Sequence, residues 1–168
     1  LNFVIKKVNY VQKDTAINEN ERFQIIYKNH LYNKRKYALV KPLTIFVTQR
    51  IAGAEKLSNK LKDFLVEEEG INLEKADKKV IVVTSSPKHK EFIEELKKVD
   101  NPRNPVEWIV SVSMLTEGWD VSNVFQIVPH EQRAFNSKLL IAQVLGRGLR
   151  VPKEYETEQP EVIVYNHA

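Results

Sequence analysis

Leu43-Thr44-Ile45-Phe46-Val47-Thr48-Gln49-Arg50 opens the stretch that decides the fold. Five residues rich in branched and aromatic side chains stand without a break, the pattern of a strand buried on both faces. The period then changes. Ala54, Leu57, Leu61, Phe64 and Leu65 recur at three- and four-residue spacing, and Gly70 supplies a C-terminal stop, so a helix follows the strand. A fully buried strand feeding an amphipathic helix is half of a βαβ unit.

The same alternation continues along the chain. Val80-Ile81-Val82-Val83, Trp108-Ile109-Val110-Ser111-Val112, Val124-Phe125-Gln126-Ile127-Val128 and Val162-Ile163-Val164-Tyr165 read as further strands. Phe92, Ile93, Leu96 and Val99 repeat the helical spacing after Pro87, and Leu139, Leu140 and Val144 do so after Asn136, a candidate N-cap. Alternation of this kind predicts right-handed crossovers and one mainly parallel sheet of about six strands, with helices on both faces. The expected class is therefore a doubly wound α/β domain.

The first forty residues differ. Residues 3–10 can add an extra strand, and Phe23, Ile26, Tyr27, His30 and Leu31 form a helical stripe. Lys34, Arg35 and Lys36 follow before Pro42; they suit a solvated helix end or linker better than a nucleic-acid contact. The expected organisation is an extension over residues 1–40 packing on a domain over residues 41–168.

Composition sets bounds on function. A chain of 168 residues fits one domain and can bury roughly 70% of its unfolded surface. Net charge is +4 and the isoelectric point about 9.1, compatible with phosphate-rich partners without requiring them. The absence of cysteine excludes disulfides, thiolate catalysis and cysteine-based zinc sites. His30, His89, His130 and His167 lack the spacing of a helical metal pair, so no metal site is expected. No apolar run approaches the roughly 20 residues that span a bilayer. The first residue is Leu1, which points to processing or to a piece of a longer protein.

Chemistry concentrates in Gln143-Val144-Leu145-Gly146-Arg147-Gly148-Leu149-Arg150. On a helix Gln143, Arg147 and Arg150 share one face. Two guanidiniums and an amide aimed one way suit a polyanion such as a triphosphate. Gly146 and Gly148 weaken a helix by about 1 kcal/mol each, a cost that makes sense where a ligand or second domain comes close. A solvent-facing basic helix end is the plainer alternative.

Ser113-Met114-Leu115-Thr116-Glu117-Gly118-Trp119-Asp120-Val121 directly follows a strand. Open α/β sheets collect ligands beyond the carboxyl ends of their strands, which puts this loop in the right place for a site. By itself it reads equally as a turn with a buried Trp119 and a capping Asp120. Pro129-His130-Glu131 is best read as a loop after a strand.

Gln-x-x-Gly-Arg-x-x-Arg at 143–150 resembles motif VI of superfamily 2 helicases, and the loop at 113–121, about thirty residues upstream, resembles motif V in the order the family requires. The resemblance implies the second RecA-like domain of an ATP-driven motor. Arg147 and Arg150 would be arginine fingers, with Gln143, Gly146, Gly118 and Asp120 on the nucleotide side. Thr116 would contact a nucleic-acid phosphate. Thr48, Gln49 and Arg50 resemble motif IV, and Thr84 and Ser85 the next strand-end loop, all facing the nucleic-acid track. Hydroxyls at a helix start are also plain N-caps, and Thr84, Ser85 and Ser86 fit either role.

The wording from Met114 through Pro152 looks closest to the motor of the type III restriction enzyme Res subunit. That resemblance implies ATP and Mg2+ held mainly by a first RecA-like domain, non-specific contacts to double-stranded DNA, a methyltransferase partner subunit, and a cytoplasmic location in a bacterium or archaeon. The phosphate loop Gly-x-x-x-x-Gly-Lys-Ser/Thr and an Asp-Glu-x-His motif do not occur in the chain. The chain by itself is therefore expected to hydrolyse nothing. The alternative is a stand-alone Rossmann-like module that binds phosphates without a motor. A dehydrogenase reading fails because no glycine-rich fingerprint follows the first parallel strand.

Overall fold

The computed structural model describes residues 2–11, 17–84, 94, 98–112, 122–130 and 150–165. Six strands form one sheet: β1 (Lys7–Val11), β2 (Leu43–Thr48), β3 (Val80–Val83), β4 (Trp108–Val112), β5 (Val124–Pro129) and β6 (Glu161–Tyr165). Their spatial order is β1-β6-β5-β2-β4-β3 and every neighbouring pair is parallel. The doubly wound α/β class expected from the sequence is the one observed.

The pleat divides the apolar residues between two faces. Leu43, Ile45 and Val47 join Ile81, Val83, Ile109, Ile127, Val162 and Val164 on one side, where Val99 and Val106 also pack. Phe46, Val110, Trp108, Val128 and Tyr165 point to the other. There they meet α1 (Glu19–Lys36), α2 (Ile51–Glu69) and α3 (Leu73–Lys79), through Phe23 and Ile26, then Ala54, Leu57, Leu61, Phe64 and Leu65, then Ala76. Each fully buried leucine of α2 stabilises the fold by roughly 1.5–3 kcal/mol, and Leu61→Ala, which also leaves a cavity, should cost about 2–5 kcal/mol. The helices expected at 92–99 and 139–144 fall almost wholly outside the described residues.

Local sequence sets the helix ends. Asn18 caps α1, accepting from the Glu21 amide at 2.8 Å, and the last turn carries Lys34, Arg35 and Lys36 against the negative end of the helix dipole. Gly70 ends α2 in the left-handed conformation at φ 63, which a residue without a Cβ adopts at no steric cost. Asn72 then caps α3, accepting from the Lys75 amide at 2.8 Å.

α1 runs antiparallel to the strands, and a polar seam fixes its register. Gln126 in β5 donates to Ile26 O at 3.1 Å and to Thr44 Oγ1 at 3.0 Å, while accepting from Asn29 at 3.0 Å. His30 lies fully buried, its Nδ1 2.8 Å from Thr44 Oγ1 and its Nε2 3.0 Å from Glu107. β1 lies at one margin of the sheet, paired to β6 from Lys7↔Glu161 to Val11↔Tyr165.

Candidate nucleic-acid and nucleotide interface

All strands point one way, so the sheet has a carboxyl edge and an amino edge. Thr48, Thr84 and His130 follow or end β2, β3 and β5 at the carboxyl edge, in one row set by the registers Thr48↔Val112, Val83↔Ser111 and Val47↔Pro129. With β4 between them, Thr48 and Thr84 stand two strand spacings apart, about 9–10 Å.

Thr48 is fully buried. Its hydroxyl lies 3.3 Å from Arg50 O and 3.4 Å from Ser111 O, so it holds the turn into α2 against β4. Gln49 and Arg50 are exposed at the end of that turn. Arg50 is the N-cap residue of α2, makes no side-chain cap, and is followed by a first turn without an acidic residue. The α2 N-terminus therefore presents amide dipoles and a guanidinium together, a combination that favours anions. α1 and α3 differ: both have an Asn cap and acid in the first turn. Thr84 is buried at the neighbouring strand end.

Arg22 and His130 form a contact that the sequence reading did not single out. Arg22 is 4% exposed on the first turn of α1. It donates to Pro129 O at 2.9 Å, lies 3.1 Å from His130 Nδ1, and sits over the Tyr165 ring at 5.9 Å. A guanidinium can only donate, so His130 Nδ1 is the acceptor and the ring proton belongs on Nε2. Burial pulls Arg22 down to about 10, partly opposed by Tyr165 and Glu19, and it remains cationic at neutral pH. The available signal was a polar line, Arg22, Asn29 and Asn33, running beside the apolar stripe of α1.

At the opposite edge, Ile5 and Arg150 form an antiparallel bridge and the Val151 amide donates to Val4 O at 2.9 Å. The Arg150 residue is exposed. Lys6, 2% exposed, donates to Ser122 O and to Arg150 O, each at 2.6 Å. A groove of about 520 Å³ opens nearby, bordered by Leu39, Asp100, Ser122, Asn123 and Pro152. The basic run at the end of α1 also lies at this edge, where Lys34 pairs with Glu107 at 2.8 Å, as suits a helix end.

Of the sequence-derived site residues, Thr48, Gln49, Arg50 and Thr84 thus lie at the carboxyl edge and the Arg150 main chain at the amino edge. Ser85, Thr116, Gly118, Asp120, Gln143, Gly146 and Arg147 lie outside the described residues. Among the described residues, no three His, Asp or Glu side chains gather to hold a metal ion, and no helix is long and apolar enough to cross a membrane.

A six-stranded parallel sheet in this order, with helices packed on it, defines a RecA-like α/β domain. Its neighbours among solved structures include helicases and helicase domains. The C-terminal domain of Saccharomyces cerevisiae Dbp5, bound to Gle1 and IP6, superposes with a TM-score of 0.55 at 16% identity, over 98% of this chain and 77% of that one. Domain 2 of the DEAD-box helicase Mss116p, bound to an RNA duplex, gives 0.54 at 12% identity, over 97% and 55%. The Mycobacterium smegmatis helicase Lhr, bound to ssDNA and AMP-PNP, gives 0.56 at 14% identity, over 96% and 19%. The chain thus spans about half of the Mss116p structure and a fifth of Lhr. No protein-family model and no curated protein matches the sequence.

Proposed function

We propose that this chain is the second half of an ATP-dependent nucleic-acid motor. The observation that carries the reading is the coincidence of two independent signals: a fold shared with helicase second domains, and the motif V-like and motif VI-like stretches in family order within it. In this reading Arg147 and Arg150 meet the γ-phosphate of ATP presented by a first RecA-like domain. Gln143, Gly146, Gly118 and Asp120 shape the nucleotide side. The same reading has Mg2+ held with the ATP mainly by that first domain. Bound there, it neutralises charge on the transferred phosphoryl group.

At the carboxyl edge the division of labour is more specific. Gln49, Arg50 and the α2 amides contact nucleic-acid phosphates, while Thr48 holds the turn that presents them. Thr84, Ser85 and Thr116 line the same track. Backbone contacts of this kind carry little sequence information and weaken with salt. The parent enzyme is a type III restriction enzyme or a close relative, acting on double-stranded DNA with a methyltransferase subunit.

Fluorescence anisotropy with duplex DNA, single-stranded DNA and RNA tests the binding half. Weak binding, with a dissociation constant of roughly 10⁻⁴–10⁻⁶ M that rises with salt and ignores sequence, is expected. Tight, salt-insensitive binding to one sequence would contradict a motor half. The reading frame around the chain tests the restriction-enzyme assignment, which predicts a phosphate loop and an Asp-Glu magnesium motif upstream.

A further inference from the structure

Lys6 lies in the segment before β1, far in sequence from both motif-like stretches, yet it joins their ends. Ser122 is the residue after the first stretch, and Arg150 is the last residue of the second. Their carbonyl oxygens each lie 2.6 Å from the same Lys6 nitrogen. Three further contacts fix the approach of this segment. The Ile5↔Arg150 bridge and the Val151 amide on Val4 O pin it to the second stretch, and Gln159 Nε2 donates to Ile5 O at 3.0 Å.

Burying an ammonium costs free energy that an apolar side chain avoids. Methionine would fill a similar volume against the Phe125 ring, which Lys6 Nζ approaches to 5.0 Å, without that cost. What methionine cannot do is hydrogen-bond two carbonyls from separate parts of the chain. Burial pulls Lys6 down to about 7, with the Asp100 carboxylate opposing. Both the ammonium and the neutral amine keep N–H donors for the two carbonyls.

We propose that Lys6 is a positioning residue: its side chain fastens Ser122 to Arg150, so that the ends of the two motif-like stretches keep one fixed relation. The purpose of this clamp rests on the motor reading, in which the loop ending at Val121 and the arginines ending at Arg150 serve one nucleotide. Its geometry does not depend on that reading.

Amide hydrogen exchange on the full chain tests the clamp. Lys6→Met keeps the stem and removes the donors. Two hydrogen bonds are lost, so exchange at the ends of the two stretches, residues 122–124 and 150–151, should rise together by roughly tenfold or more. Strands β2 and β4 should stay as protected as before. A rescue separates the ammonium from the packing. The chain has no cysteine, so Lys6→Cys can be alkylated with 2-bromoethylamine in denaturant and refolded, which restores an ammonium at lysine length. That form should return both stretches to their original exchange.

Acceleration confined to residues 2–11, equal acceleration of every peptide, or failure of the alkylated form to restore protection would each overturn the clamp. If Lys6→Met does not fold, Lys6→Leu, which also lacks a donor, takes its place and the same pattern decides. Exchange does not read ATP turnover, so a failed clamp leaves the motor reading standing. Absence of nucleic-acid-stimulated ATP turnover in the complete parent enzyme would sink the motor reading and leave the clamp.

Discussion

His30 Nε2 donates to Glu107 Oε1 across 3.0 Å, and the imidazole lies against the Trp108 indole with ring centroids 4.1 Å apart. The same carboxylate accepts from Lys34 at 2.8 Å and lies 3.4 Å from Lys79. Burial lowers the His30 pKa below its usual 6.5, so the ring is neutral in the folded protein. Burial alone would raise Glu107, but the bonds from His30 and Lys34 outweigh it and hold the carboxyl well below the usual carboxylate range.

These two shifts act on stability in the same direction. An unfolded chain takes up a proton at His30 near pH 6.5 that the folded protein refuses until lower pH, so stability falls as pH drops through that window. Glu107 stabilises the fold above its unfolded value of 4.5, and this contribution is lost as pH falls through its depressed folded value. Denaturation in urea should therefore show a steady loss of stability from about pH 7 downward. Glu107→Gln should cost about 2–3 kcal/mol at pH 7, because Lys34, Lys79 and His30 lose a charged acceptor, and should flatten the acid limb. A Glu107→Gln curve parallel to that of the unaltered chain would rule this account out.

Arg50 gives a prediction in which stability and binding part company. It occupies an N-cap without making a cap bond. Arg50→Asp supplies an acceptor for the first-turn amides and a charge that suits the helix dipole, so the melting temperature should rise, by the equivalent of about 0.5–1 kcal/mol. The same change places a negative charge where a phosphate is proposed to sit, so DNA binding should weaken more than in Arg50→Ala. For Arg50→Ala the logarithmic salt slope should drop by about one, with stability nearly unchanged. Unaltered binding by Arg50→Asp would remove the α2 N-terminus from the proposed track.

Arg22 is expected to matter for folding. Arg22→Met removes the donors to Pro129 O and His130 but keeps an apolar stem against Tyr165. The buried Pro129 carbonyl left without its donor should cost about 1–3 kcal/mol, measurable as a lower urea midpoint. Arg22→Lys should recover part of this, since one ammonium cannot match two divergent acceptors as a planar fork does. Equal stability of all three proteins would show that the contact contributes nothing.

The strands were legible because a strand buried on both faces has no polar alternation to blur it: Leu43 to Val47 and Trp108 to Val112 are apolar almost throughout. α3 was not, because it has seven residues and buries only Ala76, leaving no stripe to detect between Gly70 and Val80. At the site, residue type predicted location better than orientation. Thr48 does end β2 at the carboxyl edge, but no pattern could say that its hydroxyl turns inward to Arg50 O and Ser111 O. Lys6 and Arg22 were hidden for a related reason. Each is a charged residue beside an apolar run, which reads as a solvated flank until the fold brings buried carbonyls to it.

The most direct test of the motor reading is Arg150 in the complete parent enzyme. Its main chain is held at two points, by the bridge to Ile5 and by Lys6 on its carbonyl, and neither contact uses the guanidinium. Both contacts survive truncation of the side chain, and the residue is exposed, so Arg150→Ala should leave the domain folded, with a melting temperature close to that of the unaltered enzyme. If the guanidinium meets charge that develops as the γ-phosphate leaves, it stabilises the transition state more than bound ATP. Arg150→Ala should then lower ATP turnover by about 10³-fold or more while ATP affinity changes far less. Arg150→Lys should recover little, because an ammonium lacks the planar fork that spans two phosphate oxygens. A basic helix end that only stabilises the fold predicts the reverse: lower melting temperature and near-normal turnover. Measuring turnover, ATP affinity and melting on the same Arg150→Ala protein separates the two, and normal turnover with lost stability would end the finger assignment.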